Sequence, residues 1–243
     1  MPIVMAMTMG IRALFMNLAD LSLLRLLQLA SPMLPVGAYS YSQGLEWVIE
    51  QRIVHDRDSA RTWIIDVLQH NVARFEAPIL LRLYQAWADN NLAQVAHWNE
   101  VFCTTREAAE LRSETEQMGY SMRRLMVEMG GFDEDKLAQL VTLEPLSFPA
   151  AFSCAALCWA VPVEAMVSAY LWSWTENQVS VAMKAIPIGQ VAGQQILADI
   201  ALRLPQLGHA AMTLEEDDIS NYGPMFAIAC SRHETLYSRL FRS

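Results

Sequence analysis

Basic residues are scarce in this sequence. Its 243 residues carry 17 Lys and Arg against 26 Asp and Glu, a formal charge of −9. Only Arg123-Arg124 and the final arginines approach a cluster. Nucleic-acid binding needs clustered cations that release counterions, so a phosphate backbone is excluded as a partner. Cysteine is sparse too. The four thiols, at 103, 154, 158 and 230, lie in apolar sequence, which is no secreted disulfide framework and points to a reducing, cytoplasmic compartment. No segment reaches the roughly eighteen uninterrupted apolar residues of a membrane span, so a soluble chain with no membrane contact is expected. The opening "MPIVMAMTMGIRALFMNL" has no basic n-region and is interrupted by Arg12, so it reads as an extension rather than a signal peptide.

Chemical signatures are missing as well. There is no G-x-x-x-x-G-K-[ST] loop and no G-x-G-x-x-G after a strand, which excludes nucleotide binding by this chain alone. His55, His70, His97, His209 and His233 form no His-x-x-x-His or His-Glu-x-x-His pair. Cys154 and Cys158 share a helical face but lack two further zinc ligands, so core packing accounts for them. Glu107, Glu110, Glu114 and Glu116 near a helix start read as a solvated face favoured by the helix dipole. No catalytic residue, metal ligand or cofactor site is assigned.

What remains is helical periodicity. Hydrophobic residues make up 53% of the chain and charged ones 18%, apolar enough for a large helical core or for surface that a partner covers. "LSLLRLLQLA" (21–30) is apolar on nearly every side and is expected to be a buried helix. Ser31-Pro32 and Leu34-Pro35 stop it, and Ser40-x-x-Gln43 has the form of a capping box that restarts helix at Ser40. Asp58 or Ser59 can cap the next helix, which Pro78 kinks or restarts. Thr104-x-x-Glu107 is a second capping-box candidate. It precedes a long amphipathic helix with Leu111, Thr115, Met118, Met122, Leu125 and Met129 on one stripe, ended by Gly130-Gly131. Further apolar helices span 147–160 and 163–183, and Pro187 opens another that runs to about Leu204. No period-two alternation, fixed repeat or long linker interrupts the pattern. The expected fold is all-α, a single-domain bundle of roughly ten helices over residues 21–230, with a 1–20 extension and a 231–243 tail.

Three stretches resist a purely structural reading. In "SPMLPVGAYSYSQGLE" (31–46), Gly37 and Gly44 suggest unusual torsions, while Tyr39 and Tyr41 offer aromatic area with polar tips. The stretch serves either as a packed connector or as a binding loop. Lys184, alone among apolar neighbours in "VSVAMKAIPIGQ", snorkels, caps the preceding helix or faces a partner. "SRHETLYSRLFRS" sets Arg232, Arg239 and Arg242 around Leu240 and Phe241, an arginine-aromatic composition enriched at interfaces. A helical enzyme or small-ligand carrier with an apolar pocket is the alternative left open by the residues.

These same stretches, "LLRLLQLASPMLPVGAYSYSQGLEW", "VAMKAIPIGQ" and "SRHETLYSRLFRS", resemble the UreF family of urease accessory proteins, in order and spacing, over roughly residues 23–243. The resemblance implies an all-α, dimeric, non-catalytic scaffold. Such a scaffold pairs with a UreD/UreH-like protein and recruits the GTPase UreG, whose GTP hydrolysis it controls during nickel delivery to apo-urease. Carried over by position, the implied partner-binding residues are Tyr39, Ser40, Tyr41, Ser42, Gln43 and Glu46, then Lys184, Pro187 and Gln190. In the tail they are Arg232, His233, Glu234, Tyr237, Arg239 and Arg242, in a segment implied to order on binding the UreD-like partner. Leu236 and Ala38 depart from the family's usual Gln and Gly.

Overall fold

A computed structural model describes residues 21–243, and the expected 1–20 extension lies outside the described residues. Every regular element described is helical. The order is α1 (21–29), a 3-10 turn (Ala38–Ser40), α2 (Leu45–Glu50), α3 (Arg57–Val67), a π-helical stretch (Leu68–Glu76) and α4 (Ala77–Ala88). There follow α5 (Leu92–Thr104), α6 (Ala109–Met129), α7 (Glu134–Val141), α8 (Phe148–Cys158) and α9 (Val163–Ala185). Then come α10 (Gln190–Ala201), α11 (Leu204–Met212) and α12 (Pro224–His233), with a 3-10 turn, Glu216–Asp218, before the last.

The centre is α8, whose run from Pro149 to Ala156 is wholly buried. Its alanines, Ala150, Ala151, Ala155 and Ala156, let α4 and α6 pack closely on it. Trp87 of α4 is fully buried there and donates its Nε1–H to the Ala150 carbonyl at 3.1 Å, so the indole's one polar group is satisfied. Each fully buried large side chain of this kind contributes about 1.5–3 kcal/mol. The long α9 runs past α2, α3 and α4 and carries α10 and α11 on its flank.

Pro78 explains the π-helical stretch ahead of α4. Proline has no N–H for the carbonyl four residues back and its ring crowds that oxygen. The wider turn re-aims the ladder, with the Ala77 N–H bonding to the Val72 carbonyl. The Arg74 carbonyl accepts instead from the distant Ser220 N–H at 3.3 Å.

Sequence-level expectations of helix boundaries needed correction where tertiary contacts supply the cap. Helix does not restart at Ser40: α2 begins at Leu45 behind Gly44, which has φ 77°. The N-cap of α3 is Asp56, in a reciprocal box with Ser59. Thr104 ends α5 rather than capping α6, whose first N–H, at Ala109, donates to the Glu234 carboxylate at 2.7 Å. The 21–30 helix is not buried on all sides, since Leu21, Leu23, Leu24 and Leu27 are all about half exposed or more. Gly130 and Gly131 do end α6, both with positive φ.

Among the described residues no helix is long and apolar enough to cross a membrane.

Candidate functional site

The site is built where the first and last motifs meet. Gly44 starts α2 in a left-handed conformation beside Gln43, which has φ 51° without being glycine. A Cβ on Gly44 would lie 2.8 Å from the Ala229 carbonyl carbon and the Cys230 nitrogen, so only glycine lets α12 pack this closely against α2. That contact brings His233, one turn later on α12, to Glu46.

Glu46 is the hub. Its carboxylate accepts the backbone N–H of Leu240 at 2.7 Å and of Phe241 at 3.1 Å, and faces His233 Nε2 at 3.1 Å. The other ring nitrogen, Nδ1, faces Glu110 of α6 at 2.7 Å, and Arg239 closes onto the same carboxylate. A ring with a carboxylate opposite each nitrogen donates to both only as the imidazolium. The chain after α12 therefore lies as a strap against residues 40–46. Arg242 N–H donates to the Ser40 carbonyl at 2.8 Å, and Ser42 N–H to the Ser243 carbonyl at 2.6 Å, with the Ser42 hydroxyl on the same oxygen.

Beneath the strap the polar groups continue inward. Gln43 donates to Glu114 at 2.7 Å and accepts from the Trp174 indole at 2.7 Å, while Ser243 Oγ donates to the other Glu114 oxygen at 3.0 Å. Burial, foremost, pushes the Glu114 carboxyl up to about 7. Asn177 holds the Tyr41 carbonyl at 3.0 Å, and the Tyr41 hydroxyl donates to Gln117 at 2.7 Å. Burial also raises the Tyr39 phenol to about 12, with the nearby Glu176 charge adding to it. Further in, Arg106 pairs with Glu76 at 2.8 Å, Tyr170 donates to Glu76 at 2.7 Å, and the guanidinium stacks 4.2 Å from the Phe102 centroid.

The expected partner-facing residues thus divide. Tyr41, Ser42, Gln43, Glu46 and His233 are buried and spend their polar groups inside the chain. Lys184, Pro187, Gln190, Arg232, Glu234, Tyr237, Arg239 and Arg242 are exposed, and Tyr39 and Ser40 are half-buried. Of these, Tyr39, Ser40, Lys184 and Arg242 come together with Leu240 and Phe241 around an open pocket of about 470 Å³. Lys184 sits in the last turn of α9 with Nζ 5.6 Å from the Phe241 ring centroid, a cation over an aromatic face. Pro187, Gln190 and Arg232 do not line that pocket. The tail is not a free end: Phe241 is buried, whereas Tyr237 and Leu240 project into solvent at 106% and 73% exposure.

Sequence reasoning missed the support. Glu110 and Glu114 were read as a solvated face, but Glu110 clamps His233 and Glu114 is buried. Their spacing with Gln117, four and then three residues, is the period of the neighbouring Leu111, Thr115 and Met118 stripe, and that signal was available.

The UreF family model matches residues 54–201. The chain belongs to the UreF family of urease accessory proteins. The UreF protein of Azoarcus sp. (strain BH72) is 54% identical over 225 residues, covering 92% of this chain and 96% of the relative. That of Dechloromonas aromatica (strain RCB) is 49% identical over 227 residues, covering 92% and 98%. A relative from Bordetella bronchiseptica, named bifunctional urease accessory protein UreEF, is 43% identical over 221 residues, which cover 90% of this chain and 51% of that protein. Membership in UreF implies a role in urease maturation.

Proposed function

We propose that this UreF chain is a non-catalytic, dimeric scaffold of urease maturation. It binds a UreD/UreH-like accessory protein and recruits and regulates the GTPase UreG, so that GTP-dependent delivery brings nickel, the cargo, to apo-urease in the cytoplasm. The observation that carries the reading is the joining of all three motifs on one face. Glu46 and His233 hold the strap, which sets Leu240 and Arg242 beside Lys184 and Tyr39 and leaves Tyr237 and Arg239 exposed. Exposed tyrosine and arginine side chains on a rigid backing are the composition of binding hot spots, and Leu240 adds apolar contact area. The buried residues of the first motif act as positioning residues for that face. The name UreEF on the bifunctional relative supports a place among accessory partners.

A small-ligand protein is the weaker reading. The apolar pocket bounded by Leu29, Arg106, Phe152 and Tyr170 measures about 80 Å³, well below the roughly 300 Å³ at which small-molecule sites begin.

The test is complex formation with the UreD-like protein of the same organism. Tyr237→Ser with Leu240→Ser, both fully outside the core, is expected to weaken binding at least about tenfold while the thermal midpoint stays within about 2 °C. Unchanged binding would remove the strap from the docking face and overturn the reading.

A further inference from the structure

The two cysteines of α8 do not share one environment. Cys154 is fully buried, whereas Cys158, the last residue of the helix, is partly exposed. A spacing of four places both sulfurs on one helical face, and the Cys154 S–H donates to the Cys158 sulfur. The start of α7 meets that sulfur from the other side. Phe132 stacks on Trp159 with ring centroids 5.1 Å apart, which holds their chain neighbours, Asp133 and Cys158, together. Asp133 is the N-cap of α7, and its backbone N–H donates to the Cys158 sulfur.

Lys136, in the first turn of α7, supplies a cation. Its side chain is buried, and the ammonium donates to two neutral oxygens, the Trp87 carbonyl and Asn90 Oδ1. Among the described residues it enters no ion pair. A buried ammonium without a carboxylate leaves a positive potential for any nearby anion, and that potential acts on Cys158. Burial and the Asp133 carboxylate oppose a thiolate there, as do the carbonyls that end α8. The Cys154 S–H, foremost, then the Asp133 N–H and the Lys136 charge outweigh them and bring the Cys158 thiol down to about 7. The same hydrogen bond, with burial, pushes Cys154 the other way. The pair thus keeps its proton on the enclosed sulfur and its charge on the accessible one.

We propose that Cys158 is a reactive thiolate and a site of two-electron oxidation by hydroperoxides, with Cys154 as the positioning residue that keeps its charge. Thiolate character together with partial exposure is what selects a cysteine for this chemistry. The Cys158 sulfur attacks one oxygen of hydrogen peroxide: the S–O bond forms, the O–O bond breaks, and the departing hydroxide takes a proton from solvent and leaves as water. The sulfur gives up two electrons to the peroxide and becomes a sulfenic acid. An internal disulfide is not the product while α8 keeps its last turn. Cβ atoms four residues apart on a helix are about 5–6 Å apart, and a disulfide needs roughly 3.5–4.5 Å. None of this depends on which proteins the strap binds.

The experiment is alkylation of the full chain by iodoacetamide over a range of pH, read peptide by peptide by mass spectrometry. Beside it, a brief exposure to hydrogen peroxide with dimedone traps any sulfenic acid. Cys158 is expected to react at least about tenfold faster near neutral pH than Cys103 or Cys230, whose thiols burial pushes up. Its rate is expected to reach half-maximum near pH 7, against about 8.5 for an ordinary thiol. Cys154→Ala is expected to raise that midpoint by about one unit or more, while Cys154→Ser, which keeps a donor, holds it within about half a unit. Lys136→Met removes the cation from a different helix and is expected to raise the midpoint as well, so it carries the test should circular dichroism show Cys154→Ala unfolded. The dimedone adduct is expected at Cys158. A wild-type midpoint at or above about 8.5, a midpoint that no variant moves, or a peroxide-treated chain without the adduct at Cys158 overturns the proposal.

Discussion

Glu114→Gln isolates the cost of burying a carboxyl beneath the strap. In the folded chain burial pushes Glu114 up from 4.5 to about 7, against the lowering effects of Gln43, Arg106 and Ser243. Below the unfolded value both states hold the proton, and folding is not opposed. Between about 4.5 and 7 the unfolded chain releases its proton while the folded chain keeps it, so stability falls as pH rises; above 7 the loss is complete and constant. Moving a carboxyl that far corresponds to about 3 kcal/mol. Glutamine does not ionise, and it keeps one oxygen to accept from Gln43 or Ser243 at a cost of about 1 kcal/mol for the lost acceptor. Urea unfolding followed by circular dichroism at pH 5, 6, 7 and 8 reads the difference between wild type and variant, which cancels the titration of every other group. The variant is expected to be within about 0.5 kcal/mol of wild type at pH 5, because wild type has by then lost about 0.8 kcal/mol to the titration, and about 2 kcal/mol more stable at pH 8. A difference that does not change with pH would refute the reasoning.

Further expectations follow from the same contacts. Glu46→Gln leaves His233 facing a neutral amide and weakens two strap bonds, so stability is expected to fall by about 2–4 kcal/mol, with faster amide exchange at Leu240 and Phe241 in a hydrogen-exchange measurement. Gly44→Ala places a Cβ 2.8 Å from the α12 backbone at φ 77°, and a loss of about 2–4 kcal/mol in urea unfolding is expected. Arg106→Met strands the buried Glu76 carboxylate and is expected to cost about 3–5 kcal/mol. Adding Glu76→Leu to it should recover part of that loss, and no recovery would show that the pair is not what couples the two positions.

The all-helical architecture was legible because period and stop signals are local. Pro32, Pro35 and the Gly130-Gly131 pair stop helix where they stand, and Pro78 widens the turn ahead of it without breaking the helix, each acting on its own neighbours. Capping was less legible because the partner is often remote. Ala109 is capped by Glu234, 125 residues away, and no window of sequence links them. The exposed leucines of α1 show a different limit. An apolar helix is buried by what lies beside it, and period alone does not say what that is.

The same division holds for the site. Tyr39, Lys184 and Arg242 stood out as aromatic or charged residues in unusual surroundings, and they share one pocket. Of the carboxylates that hold the strap, Glu46 was named only through the resemblance, and Glu110 and Glu114 did not stand out because they resemble ordinary helix-surface residues until the end of the chain returns to them. Long-range convergence, rather than composition, gives them their role.

The most direct test of the scaffold account is size-exclusion chromatography with light scattering of the purified chain mixed with the UreD-like and UreG-like proteins of the same organism, with GTP and magnesium present. One complex containing all three is the predicted result, with Lys184→Glu shedding the GTPase while the UreD-like protein stays bound. A chain that elutes free of both at micromolar concentration would contradict the account.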